Sequence, residues 1–112
     1  MDMESPQARV QAVRGMFQTL RQGAYLMVYA ISDQDEYHQE MIQKSPALEK
    51  GAFLHPLKGK FEKVFTEEEL DELYGAFICI EKQRVEKKAY FEGREYACYH
   101  HFRIYRKAFK EP

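Results

Sequence analysis

No tryptophan occurs in this sequence, and only two cysteines, Cys79 and Cys98. Two thiols cannot staple a small secreted domain, so the fold has to rest on its own core, and free thiols in a reducing compartment are expected. Read as facing helices folded back at Gly93, the two cysteines lie roughly 13 Å apart, too far to bridge. No apolar run exceeds Ala24 to Ile31, which is too short to span a bilayer. The first nine residues hold Asp2, Glu4, Pro6 and Arg9 in place of an apolar leader, so a cytoplasmic protein without membrane contact is expected. Neither charge sign dominates: 17 Lys and Arg stand against 18 Asp and Glu, a formal net charge of −1. That balance argues against a nucleic-acid coat or a membrane-surface protein. Missing too are a glycine-rich phosphate loop, a Gly-x-Ser-x-Gly elbow, a Cys-x-x-Cys pair and a His-Glu-x-x-His pair. His38, His100 and His101 with Asp35, Glu36 and Glu40 are suitable metal ligands, but only one half of a paired carboxylate–histidine set is present. No cofactor and no metal are expected.

What the chain does have is apolar and aromatic substance: 45% hydrophobic residues, with eight Tyr and eight Phe. At 112 residues it supports one domain with one core, spanning 1–112. The clearest local signal is Thr66. It can cap a helix, Glu69 completes a capping box, and Phe65 and Leu70 stand where a hydrophobic staple needs them. Acids then crowd the first turn and Lys and Arg the last third, as a helix dipole favours, up to Gly93. Leu70, Leu73, Tyr74, Phe77, Ile78, Ile80, Val85, Ala89 and Phe91 share one half of the wheel, so a long helix from Thr66 to Glu92 is expected. Ser5-Pro6 is a second start signal. Val10, Val13, Phe17, Leu20 and Ala24 follow at helical spacing. Gly23 could mark a kink, and a buried strand from Ala24 to Ile31 competes with continued helix. A short helix is read at Asp33 to Lys44, a single turn at Ser45 to Gly51, and an irregular connection at Ala52 to Phe65.

Two readings of residues 94–109 compete. As a helix, Ala97, Cys98, His101, Phe102, Ile104, Tyr105, Ala108 and Phe109 gather on one face. As a strand, the segment pairs backwards across Glu92-Gly93, and its Tyr, Phe and Ile content suits that. The helical sorting is cleaner. An all-α bundle folding back at Gly93 onto a C-terminal helix is therefore expected, with an α+β fold carrying a hairpin over 84–105 as the alternative.

Two surfaces follow from the bundle. Tyr25, Leu26 and Tyr29 make a second apolar face, more than one short chain is expected to cover. Tyr96, Tyr99, His100, Arg103, Arg106 and Lys107 share the basic face of the last helix, where cations between aromatics can grip phosphates and stack bases. A third candidate is Arg94 with His101, two helical turns apart. An Arg and a His so placed in a late helix resemble the HEPN ribonuclease motif, where such a pair four to six residues apart forms a metal-independent site, usually across a dimer. The resemblance covers eight residues. Glu95 stands where the family often has Asn or another polar residue. It implies His101 as general acid or base and Arg94 as the group steadying a pentavalent phosphate. The expected function is a small helical interaction or regulatory module without catalysis, with a protein partner and self-association as a homodimer. Action on nucleic acid, by binding through the basic face or by HEPN-like cleavage, is the alternative.

Overall fold

The computed structural model describes residues 5–45, 47, 49–54 and 61–109. The turn expected at 45–51 and the stretch around Pro56 and Gly59 lie partly or wholly outside those residues. The elements run α1 (Pro6–Thr19), β1 (Tyr25–Ile31), α2 (Glu36–Lys44), β2 (Ala52–Leu54), β3 (Phe61–Lys63), α3 (Glu67–Leu73), β4 (Ile78–Phe91) and β5 (Arg94–Arg106). The fold is α+β, and the all-α bundle is corrected. A three-stranded antiparallel sheet runs β1-β5-β4, beside a two-stranded β2-β3 ladder where an irregular connection was expected.

The capping signals hold where the hydrogen bonds are local. Ser5 accepts from the Ala8 amide, with Pro6 in the first helical turn. Thr66 and Glu69 form a reciprocal capping box. Asp35, two residues beyond the expected start, caps α2. The helix started at Thr66 nevertheless ends at Leu73. The chain then turns through Gly75 into β4. Glu92 and Gly93 both have positive φ, 52° and 78°, and close the tight turn of the hairpin. Gly23 is a turn and not a kink: its φ is +80°, and the Phe109 ring fills the place of a Cβ.

Two features explain why 78–106 resembles helix in sequence. β4 is exposed along nearly its whole length, so no alternation marks its faces. In β5 the buried face changes midway. Tyr96 and Cys98 are buried on one side of the sheet; His101, Arg103 and Tyr105 are buried on the other. The step of three between Cys98 and His101 breaks the two-residue period and imitates a helical one.

That change of face reflects which helices cover what. Over the base of the hairpin, Tyr105 joins Val13 of α1 and Leu70, Tyr74 and Phe77 of the α3 region in the core, with Leu26, Val28 and Ala30 of β1 beside them. Tyr74 stacks on Tyr105 at 4.9 Å and Phe17 meets Phe77 edge-on at 5.2 Å. Over the tip of the hairpin, α2 covers the opposite side, with Tyr37 stacked on Phe91 at 4.0 Å and edge-on to Tyr96. Beyond α2 that side carries Tyr25, Met27, Tyr29 and Ile78, each half or more exposed.

Candidate functional site

The end of β1, the start of α3 and the β4–β5 pair enclose a polar cavity of about 300 Å³. Ser32, Asp33 and Gln34 form one wall, Thr66, Glu67 and Glu68 a second, and Arg84 and His101 a third. Arg84 and His101 are opposed in the β4–β5 register, so both side chains leave the same side of the sheet. His101 is buried, and its Nε2 lies 2.7 Å from the Phe65 carbonyl oxygen. That carbonyl accepts, so Nε2 carries a proton, and in the neutral tautomer this fixes, the lone pair is on Nδ1. The same carbonyl accepts from the Asp33 amide at 3.1 Å, tying the cavity floor to the ring. Arg84 donates to Gln34 Oε1 and lies over the Tyr99 ring at 4.6 Å. Among the described residues no carboxylate is within ion-pair distance of Arg84.

Behind the cavity, Asp35 is fully buried. It accepts from the His38 amide at 2.9 Å, from His38 Nδ1 at 2.7 Å and from the Tyr99 amide at 3.0 Å. Burial pushes the Asp35 carboxyl up, but the bonds from His38 and Tyr99 outweigh it and hold it below its ordinary value. The far nitrogen of His38 faces Glu62 at 3.0 Å, which ties α2 to β3. Glu36 accepts from the Ala97 amide at 2.7 Å. Asp35 and Glu36 thus occupy the β5 edge where β1 has ended, filling the place of a missing strand. Burial pushes the neighbouring Cys98 thiol up, with Asp35 adding to the effect, so it is a poor nucleophile. Burial also pushes His100 down, and its Nδ1 is enclosed with no hydrogen-bond partner among the described residues. Asp35, His38 and Glu62 form a relay that sequence reading missed. The i, i+3 spacing of Asp35 and His38 marked half of it; Glu62 comes from a strand that carried no signal. Among the described residues no three His, Cys, Asp or Glu side chains are placed so that they could hold a metal ion.

The outer edge of β1 is the second notable feature. Ser32 N bonds Tyr99 O, and Lys107 N bonds Ala24 O, so the even-numbered residues of β1 bond to β5. The backbones of Tyr25, Met27 and Tyr29 therefore point away from the sheet. At the end of the strand Phe65 N takes the Ile31 carbonyl. No strand of the described residues pairs along Tyr25 to Tyr29.

The predicted site residues are scattered by the sheet. Arg94 and His101 lie on opposite faces of β5, roughly 23 Å apart at strand rise, and Arg94 meets Glu40 at 3.2 Å. The cross-strand partner of His101 is Arg84. The basic face also divides, because strand residues alternate. Tyr96, His100 and Arg106 take one side, and Tyr99, Arg103 and Lys107 the other. Arg103 is buried, donating to Asp71 at 2.6 Å and to the Tyr105 hydroxyl at 2.9 Å. Lys107 donates to the Phe17 and Leu20 carbonyls at the end of α1. Arg106 lies over the Tyr25 and Phe109 rings. Tyr96 donates to Glu40. Tyr25 and Tyr29 do share an exposed face, with Tyr29 stacked on His100 at 4.7 Å. Leu26 points the other way, into the core.

No described helix is long and apolar enough to cross a membrane. No family model matches the sequence, and no curated protein matches it. Among solved structures, the chain is similar to the crystal structure of a SAM-dependent methyltransferase from Methanosarcina mazei, with a TM-score of 0.68 and 21% identity. The match covers 96% of this chain and 54% of that one, so the chain spans about half the length of the protein it resembles. This likeness is one of fold, and with the sheet it corrects the expected function. The helical, self-associating interaction or regulatory module has no bundle to stand on. The nucleic-acid alternatives lose the last helix that carried both the basic face and the HEPN-like pair.

Proposed function

We propose that this chain is the acceptor-side part of a methyltransferase-like enzyme, and that S-adenosylmethionine is held by polypeptide added along the free edge of β1. The observation that carries the reading is that edge. Tyr25 to Ile31 is an uncharged, proline-free strand, and along Tyr25 to Tyr29 its outward backbone groups have no partner strand among the described residues. An edge of that kind is a template for a further strand. The uncovered side beside it, with Tyr25, Met27 and Tyr29, would be buried by the same addition. The fold likeness supports the setting, since the similar protein has nearly half its length outside the shared part.

The described residues do not themselves fit S-adenosylmethionine. A ligand of that size needs an enclosed and largely apolar slot with a few convergent polar groups. The cavity at Ser32 is small and polar, with no aliphatic or aromatic pair to hold a purine. The groove between α1 and β1, lined by Ala12, Met16, Leu20 and Leu26, is apolar but has no charged group for an amino-acid end. In the hollow beside Arg9, the cation is tied to Glu49 and the Phe65 ring lies under Arg9 and Lys63. What the cavity can supply is a proton acceptor at His101 Nδ1 and a cation at Arg84, both set by neighbouring hydrogen bonds. Its side of the partnership is to hold and orient a small polar substrate. Free thiols at Cys79 and Cys98 support a cytosolic setting.

Calorimetric titration of the chain with S-adenosylmethionine tests the division of labour. No saturable binding tighter than about 1 mM, or about −4 kcal/mol, is expected. Stoichiometric binding tighter than that would contradict the reading.

A further inference from the structure

The cavity carries more information than its size, because its walls bear both charge signs. Arg84 stands on one wall, held by Gln34 and the Tyr99 ring and facing no carboxylate at ion-pair distance. Asp33, Glu67 and Glu68 stand on the others. These carboxylates are not consumed by neighbouring cations: among the described residues none of the three forms an ion pair. Among the described residues, the Asp33 carboxylate accepts a long contact from the Ser32 hydroxyl, at 3.3 Å. The floor is polar as well. The Ser32 hydroxyl is held by the Gln34 amide at 3.1 Å, and the His101 ring is fixed by Phe65. A simple anion would meet three carboxylates here, and a simple cation would meet Arg84.

We infer that the cavity takes a small zwitterion of the amino-acid class, its carboxylate against Arg84 and its ammonium among Asp33, Glu67 and Glu68. An arginine with no carboxylate partner among the described residues is suited to a carboxylate, which a guanidinium can bind through two parallel hydrogen bonds. Carrying both groups on one molecule makes the second contact intramolecular, so the joined ligand gains over its separate halves. An amine held near His101 Nδ1 also has a proton acceptor beside it, which is what a nitrogen nucleophile requires. This inference rests on the acceptor-side reading, but it concerns a different part of the molecule from the β1 edge and is tested separately.

The test is an amide chemical-shift titration of the chain with glycine, acetate and methylammonium. Glycine is expected to shift the amides of Ser32, Asp33, Gln34, Thr66 and Arg84 saturably. Acetate and methylammonium should bind at least about tenfold more weakly. Arg84→Gln should lower glycine affinity by about tenfold or more, with the remaining amide spectrum unchanged, since Arg84 is exposed. The proposal is overturned if glycine gives no saturable shift at these amides. Equal responses to the three probes, or a response that Arg84→Gln leaves intact, overturn it as well. Neither result bears on S-adenosylmethionine binding or on the β1 edge, so a failure here leaves those measurements to judge the acceptor-side reading.

Discussion

The two outer strands of the sheet end their hydrogen-bond ladders in opposite ways. β4 carries Glu81, Lys82, Arg84, Glu86, Lys87 and Lys88 along an edge exposed over nearly its whole length. β1 carries no charge at all. Charged residues make an incoming strand costly, because each would have to be stripped of water or brought against another charge. An uncharged edge makes the same addition favourable. The third stretch of open edge, on β5 beyond the end of β1, is filled by the carboxylates of Asp35 and Glu36. Within one sheet, then, two edges are closed by charge and one is left available. The difference is what the proposal of further polypeptide along β1 rests on.

The sharpest way to break the comparison is to place proline on each side of β1. Val28 has its backbone toward Arg103, so Val28→Pro should lose a ladder bond and clash, costing about 3 kcal/mol or more in urea denaturation. Met27 faces outward, and Met27→Pro should cost about 1 kcal/mol or less, as edge positions allow. Equal costs would mean that the outer edge is already paired. The inner boundary of the sheet comes next. Arg103→Met removes the donor to Asp71, Tyr105 and the Glu67 carbonyl, and a loss of about 2 kcal/mol is expected. The Arg103 guanidinium holds the Asp71 carboxyl below its ordinary value, with Lys82 assisting. A depressed folded-state value stabilises above the unfolded one and is lost as pH falls through it. The urea midpoint should therefore drop below about pH 4, and less steeply in Arg103→Met. The smallest change in stability, within about 0.5 kcal/mol, is expected for Glu86→Val with Lys87→Val and Lys88→Val. Light scattering should nevertheless show that variant associating, because its β4 edge would then resemble β1.

What could be read in the sequence was whatever is decided within a few residues. Ser5-Pro6, the Thr66–Glu69 box and the Glu92-Gly93 turn all sit where their local hydrogen bonds require. The competing strand at Ala24 to Ile31 and the competing hairpin across Gly93 are what the chain adopts, although the strand, expected to be buried, is exposed on one face. What failed was decided by distant partners. Residues 78–91 are rich in helix-forming Glu, Lys, Gln and Arg, and only the ladder with β5 makes them a strand. The cavity was legible only as single residues. His101 was noted, but its companion is Arg84, ten residues before Arg94 and reachable only once the register is known. Arg103, counted as an exposed cation, is buried because alternation along β5 turns it toward α3.

Amide hydrogen exchange along β1 tests the central claim most directly. An open edge predicts alternation: Leu26, Val28 and Ala30 slow, and Tyr25, Met27 and Tyr29 faster by about 100-fold, because only the first set is bonded to β5. Met27 and Tyr29 protected as strongly as Val28 would show that the edge is already paired, and the joint proposed here would not exist.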